Sequence, residues 1–398
     1  MTLAPSISWD PYDVALAQDP YPTYRRLRNE QPLYYNPVHD FYAMSRFVDC
    51  EAGLKDWETF PSGHGGVLEI IKAGVELPPG TLIFEDPPIH DIHRSLLVRV
   101  FTPRRVSALE PQIRQFCINA LDPLVGSDRF DLIAALAAQM PMRVISMLLG
   151  IPEADQESVR DSVDQAIRNE PGKPRTIGEG QIATGEMFAD YVDWRSKHPS
   201  DDLMTELLNA EFDDVDGRRR TLTRQEVLTY VHVLAGAGNE TTNRLIGWTG
   251  ALLAQHPDQR RELVADPTLI PAAIEEVLRF EPPAHSVGRY VARDFEAYGQ
   301  TVPEGSAMLF LVASANRDDD RYPDGDHFDI HRAGVTQLLT FGLGAHYCMG
   351  AALARLEGRI ALEELLTRFP SWEVDYDAAA LSSTTQVRGW QTLHVNIA

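Results

Sequence analysis

The run Phe341-Gly342-Leu343-Gly344-Ala345-His346-Tyr347-Cys348-Met349-Gly350 constrains this chain more than any other segment. Glycines at 342 and 344 let the backbone turn tightly and approach a flat partner with no Cβ in the way. The stretch that follows, Ala351 to Phe369, has the apolar periodicity of a helix. Cys348 therefore stands at a helix start, where amide N–H groups favour the thiolate, the form that binds metal. The other cysteines, Cys50 and Cys117, form no CxxC spacing with it, so neither a disulfide framework nor a zinc site is indicated. A reducing cytoplasm is the compartment such cysteine usage suggests.

A lone thiolate on a glycine-lined loop suits a single axial bond to haem iron. The ten residues resemble the haem-binding signature of the cytochrome P450 family, Phe-Gly-x-Gly-x-His-x-Cys-x-Gly, at every fixed position. Further motifs follow in family order, so the resemblance spans about residue 9 to the C-terminus. It implies a mainly α fold with a smaller β region, a triangular helical prism formed as one domain over 1–398. Haem b would lie between a long central helix and the Cys348 helix, with the Cys348 thiolate as metal ligand. The strands are expected at about 30–60 and near the C-terminus.

Asp86-Pro87-Pro88-Ile89-His90-Asp91-Ile92-His93-Arg94 leads into a helix through Phe101. His90 and Arg94, four apart, share one face and suit a carboxylate. The family's Asp-Pro-Pro-x-His-x-x-x-Arg pattern makes both of them haem propionate ligands. His93 departs from it and is the poorer fit by spacing. The resemblance adds Arg289 and His346 as propionate ligands, places Phe341 beside the thiolate, and puts Gly342 and Ala237 against the cofactor.

Between Arg224 and about Gln255 the pattern predicts a long helix whose centre reads Ala235-Gly236-Ala237-Gly238-Asn239-Glu240-Thr241-Thr242. Each glycine costs a helix about 1 kcal/mol. A threonine hydroxyl can bond the i−4 carbonyl, which for Thr241 belongs to Ala237. The result is a groove beside an acid–alcohol pair. It is similar to the family's oxygen-activation motif, in which Glu240 relays protons and Thr241 holds a water and the oxygen. Glu276 and Arg279, three apart, match the family's Glu-x-x-Arg structural ion pair. Glu275 is expected to face solvent, and His327 to occupy the place where relatives often add a third, arginine, partner.

Val67, Leu68, Ile71 and Ile83 in the Gly/Pro-rich loop 62–85, with Val233, Ala284, His285, Val287, Gln386 and Val387, are expected to line an apolar substrate cavity. His285 stands where relatives more often carry an aliphatic residue. It is read as a cavity wall, with a contact to a polar substrate group as the sharper alternative. Residues 105–210 read as amphipathic helices, among them Ile133–Leu149 and Ile182–Ser196. The segment Asn169–Glu186 is the expected lid.

The resemblance implies a monooxygenase that inserts one oxygen atom from O2 into a small apolar organic substrate. No Gly-x-Gly-x-x-Gly fingerprint follows a predicted strand, so electrons are expected from a ferredoxin and its NAD(P)H-dependent reductase. Arg99, Arg104, Arg105 and Arg355 are the candidate docking charges. A hydrogen peroxide-using peroxygenase and a non-catalytic haem sensor or carrier remain alternatives, against which the Glu240–Thr241 pair speaks. The net charge of −22 argues against nucleic acid as a partner, and no apolar run of membrane-spanning length is present.

Overall fold

The computed structural model describes residues 7–167, 172–177, 184–383 and 387–397. Its axis is one helix, Arg224–Gln255. A capping box starts it: the Thr223 hydroxyl accepts from the Glu226 N–H, and the Glu226 side chain accepts from the Thr223 N–H. Arg220 then clamps Glu226 through both carboxylate oxygens, at 2.8 and 2.9 Å. The helix is continuous through its glycines.

Two of its later glycines are required by close packing. A Cβ at Gly250 would come within 2.3 Å of Leu132 Cδ2, and one at Gly247 within 2.8 Å of Ile133 Cδ1. The neighbouring segment Ile133–Ala137 is a π-helical turn that precedes the α-helix Met140–Leu149, where the sequence predicts one continuous helix. The largest core cluster joins the central helix to Glu110–Leu121, Met140–Leu149, Ile270–Phe280 and the cysteine helix Ala351–Arg368.

The β region forms a four-stranded sheet. Leu33–Asn36 pairs antiparallel with Phe41–Met44, which runs parallel to Ala307–Phe310, which pairs antiparallel with Val287–Tyr290. A C-terminal hairpin, Ala380–Ser383 with Arg388–Thr392, packs against the central helix, where Trp248 Nε1 donates to Arg388 O at 3.1 Å. Half of the expected lid, 169–171 and 178–183, lies outside the described residues, and the helix read over Ile182–Ser196 is observed as Ala189–Lys197. The helix that carries His90, Ile89–Val98, ends at Val98 rather than Phe101. No described helix is long and apolar enough to cross a membrane.

Glu276 and Arg279 are fully buried and doubly bonded at 2.7 Å each. The third partner is Arg332, whose Nε donates to Glu276 Oε1 at 3.1 Å. His327 contributes only its backbone carbonyl, to Arg279 and Arg332, and its side chain is exposed. The reason is reach: a guanidinium has enough donors for the carboxylate and for the carbonyls of Pro323, Asp324 and His327 together. Glu275, expected in solvent, is buried and paired with Arg355.

Candidate active site

Between the central helix and the cysteine loop lies a cavity of about 300 Å3, lined mostly by apolar groups. Its wall on the central helix is one stripe: Tyr230, Val233, Leu234, Ala237, Gly238, Thr241 and Leu245. The steps of three and four place these residues on one helical face. The facing wall repeats the pattern on the cysteine side, with Cys348, Gly350, Leu353, Ala354 and Glu357. Leu97, Ile145, Pro283 and Ala284 complete much of the enclosure.

The loop adopts the conformation its glycines foretell. Gly342 and Gly344 both have φ near +65°, where any side chain with a Cβ is strained. The Cys348 N–H donates to Phe341 O at 2.8 Å, closing the turn, and Arg355 lies 4.4 Å over the Phe341 ring. Among the described residues Cys50 and Cys117 are buried, while the Cys348 sulfur opens onto the cavity. Burial pushes the Cys348 thiol up, against the opposing pull of the Gly350 and Ala351 N–H groups and of Arg94 and Arg355. The helix start thus assists the thiolate without producing it alone. A metal cation beside the sulfur works in the same direction as those groups and deprotonates a coordinating thiol.

At one edge of the cavity four basic side chains crowd together. The His90 and His346 rings are 4.4 Å apart between centroids, and the Nε2 atom of each is buried with no hydrogen-bond partner among the described residues. His346 is pushed down to about 3 by burial and by the charges of Arg289, His90 and Arg94. Burial likewise lowers His90, Arg94 and Arg289, the last to about 10. Burial alone disfavours so much positive charge, and two carboxylates would reverse that by pairing with it. The residues present therefore fit a haem: a sulfur on one wall, an apolar slot, and donors for two propionates at the edge.

Thr241 lines the cavity, and its hydroxyl donates to Ala237 O at 2.8 Å, the partner expected from the sequence. A Cβ at Gly238 would meet nothing closer than 3.5 Å, from Ile145, so the glycine preserves space in the cavity rather than relieving a clash. Glu240 does not line the cavity. It is buried and turned to Arg244, whose Nη2 donates to Glu240 Oε1 at 2.8 Å.

Among the expected substrate contacts, Ile83, Val233 and Ala284 line the cavity. Leu68 and Ile71 do not: their short helix Leu68–Ala73, entered at Val67, docks on the sheet cluster around Trp9, Tyr34 and Leu309. His285 is a further correction. In an extended run neighbouring side chains point to opposite sides, so with Ala284 facing the cavity His285 faces away. Its ring packs 6.0 and 6.2 Å from those of Tyr21 and Tyr24, in a separate small pocket with Arg388. Val287 packs into the sheet core opposite Phe310, and Val387 forms a bridge with Ala284 behind the wall. Gln386 lies outside the described residues. His93 leaves the edge cluster for Glu85, at 2.8 Å.

Sequence reasoning missed Tyr230, Leu234, Leu245, Ile145 and Glu357. Four of them were accessible: extending the i+3/i+4 spacing backward and forward from Thr241, and forward from Gly350, names all but Ile145. Glu357 is a buried carboxyl held well above its ordinary range by burial, with Oε2 unpartnered among the described residues.

Fold and site together define a haem-thiolate oxidoreductase. A family model for cytochrome P450 matches residues 186–387. Cytochrome P450 130 of Mycobacterium tuberculosis is 35% identical over 384 residues, 93% of either chain. The vitamin D(3) 25-hydroxylase of Pseudonocardia autotrophica is 33% identical over 392 residues, 96% of this chain and 94% of that one. Among solved structures, cytochrome P450 CYP109Q5 from Chondromyces apiculatus superposes with a TM-score of 0.86 at 32% identity, covering 98% of both chains. The chain belongs to the cytochrome P450 family. It is a haem monooxygenase that binds haem b through a cysteine thiolate and takes O2 and a small organic substrate.

Proposed function

We propose that the chain, acting as one domain over 1–398, hydroxylates an apolar, mid-sized organic molecule held between Thr241 and the wall formed by Leu97, Ile145, Val233 and Ala284. The supporting observation is the Cys348 sulfur opening onto one cavity that also carries Thr241 and ends at the His90–Arg94–Arg289–His346 cluster. A haem held there by Cys348 would supply the oxygen-activating chemistry, for which a thiolate ligand is suited. Everything else falls to the side chains. Cys348 ligates the metal, with Phe341 and Gly342 shaping the loop around the sulfur. His90, Arg94, Arg289 and His346 would hold the propionates, and Ala237 and Gly238 leave room in the cavity beside Thr241.

Thr241 would hold a water in the cavity, because its hydroxyl already donates to Ala237 O and so turns its acceptor lone pairs outward. Glu240 passes protons from solvent toward that water. The apolar walls keep bulk water from the reacting atoms. Vitamin D(3), in the name of one relative, is the kind of bulky apolar molecule such walls suit.

Electrons come from a ferredoxin and its NAD(P)H-dependent reductase. Arg99 and Arg104 are the exposed charges offered to it. Arg105 is engaged with Glu206 and Arg355 with Glu275, which makes both poorer contacts. Reversing Arg99 and Arg104 together slows electron transfer and weakens its salt dependence; an unchanged rate excludes this face. A substrate-library titration following the haem spin shift tests the site itself. Apolar ligands of sterol or terpenoid size should give the shift, and Thr241→Ala should then consume NADH with little product. Thr241→Ala retaining full product yield would refute the role given to that hydroxyl.

A further inference from the structure

Glu240 is clamped away from the cavity it is assigned to serve, and the clamp has two jaws. Arg244 sits one helical turn after Glu240 and is buried. Its Nη2 donates to Glu240 Oε1 at 2.8 Å, while its Nη1 donates to the backbone carbonyl of Trp390. The other carboxylate oxygen, Glu240 Oε2, is buried with no hydrogen-bond partner among the described residues. A buried acceptor left in that state is costly unless something else reaches it.

The strand that holds the far jaw is also the brace of the cavity wall. The Arg388 N–H donates to Pro283 O at 2.9 Å, and Val387 bridges Ala284; Pro283 and Ala284 both line the cavity. The stem of Arg244 lies flat on the strand at Gly389, where an added Cβ would come within 2.5 Å of Cδ and 3.0 Å of Cβ and Cγ. That contact explains the glycine. Any side chain at 389 would lift the guanidinium from the Trp390 carbonyl, from Glu240, or from both.

We infer that Arg244 is the positioning residue for the Glu240 carboxylate. It ties the acid to the strand Arg388–Thr392, so that ligand packing against Pro283–Ala284 is transmitted through that strand to the proton path. The inference rests on the reading of Glu240 as proton relay. Glu240 Oε2 is the oxygen free to take a water-borne proton, and Arg244 decides where it points. Contacts of this kind are reciprocal: what displaces the strand moves the acid, and what frees the acid loosens the strand.

The test is made on the resting haem-loaded protein, before any turnover. Isotope-edited infrared spectra of 13C-glutamate-labelled protein locate the Glu240 carboxylate stretch, assigned by its loss in Glu240→Gln. In Arg244→Gln the band should move, and in the substrate-driven reaction product formed per NADH should fall about tenfold, the scale of one lost charge-assisted hydrogen bond. Gly389→Ala retains every functional group and should move the band in the same sense with a smaller loss. Arg244→Lys, which reaches one jaw but not both, should be intermediate. A ligand that gives the spin shift should move the band in the wild type and not in Arg244→Lys. If the band and product yield are unchanged in both Arg244→Gln and Gly389→Ala while Glu240→Gln uncouples the enzyme, Arg244 is only a brace and the inference is overturned. Glu240→Gln with full coupling would instead remove the relay reading beneath it, a separately visible result.

Discussion

Replacing Arg332 by glutamine should destabilise the protein by about 3 kcal/mol, whereas His327→Ala should cost less than about 0.5 kcal/mol. Arg332 is mostly buried and donates to Glu276 Oε1 and to the carbonyls of Pro323, Asp324 and His327, at 3.1, 2.8, 3.1 and 2.6 Å. One hydrogen bond to a charged partner contributes about 1.5–3 kcal/mol, and the carbonyls at the rim recover part of their loss from water. Glu276 keeps Arg279 and the Asp329 N–H at 2.9 Å, so its charge is not orphaned. That keeps the cost below the level reached when a buried pair is broken outright, about 3–5 kcal/mol. The His327 side chain is exposed, and alanine retains the carbonyl that the two arginines use. Against a total stability of about 5–15 kcal/mol the difference is large enough to read as a shift in urea midpoint. Unfolding would be followed by far-ultraviolet circular dichroism and by loss of haem absorbance. Equal midpoints for the two variants, or a greater loss in His327→Ala, would refute this account of the network.

His285→Phe should leave the substrate-induced spin shift unchanged, because the ring faces Tyr21 and Tyr24, while Val233→Phe alters it. Burial and the nearby Arg388 and Arg317 hold the His285 imidazole well below its ordinary value, so the folded chain stays neutral where the unfolded chain takes up a proton. Wild-type stability should therefore fall as pH drops below about 6.5, by up to about 1.4 kcal/mol per pH unit from this group, and His285→Phe should flatten that slope in urea titrations. Glu357 has the opposite sign: its folded carboxyl titrates above the unfolded value, so stability is lost as pH rises past about 4.5. Glu357→Gln should thus stabilise the protein at neutral pH and lose that advantage in acid; no gain at pH 7 would refute the burial argument. Gly238→Ala should match or exceed wild-type stability by about 0.5–1 kcal/mol, since a methyl fits beside Ile145, yet weaken binding of bulky ligands by filling the cavity.

Much of the molecule was legible in the chain itself. The bounds of the central helix, the turn at Gly342 and Gly344 and the Thr241–Ala237 bond follow from local chemistry, and the structure reproduces them. What was not legible depended on contacts far apart in sequence. Whether Leu68 and Ile71 face the cavity or the sheet is decided by Leu309, more than two hundred residues on. The choice between His327 and Arg332 turned on which residue has the reach to serve a carboxylate and three carbonyls at once. His285 is the instructive case, since alternation along the extended run points it opposite to Ala284 once either is placed. Glu357 and Tyr230 lie at helical spacing from Gly350 and Thr241, so their omission was a failure to extend the pattern rather than a limit of the sequence.

The central claim is that Cys348 binds the haem iron. The most direct measurement is the absorption spectrum of the reduced protein with carbon monoxide, compared with that of Cys348→His. The wild type should show the red-shifted Soret band of thiolate ligation, and the variant should show the shorter-wavelength band of an imidazole ligand. A wild-type spectrum of the imidazole type, or a variant that keeps the thiolate band, would contradict the account.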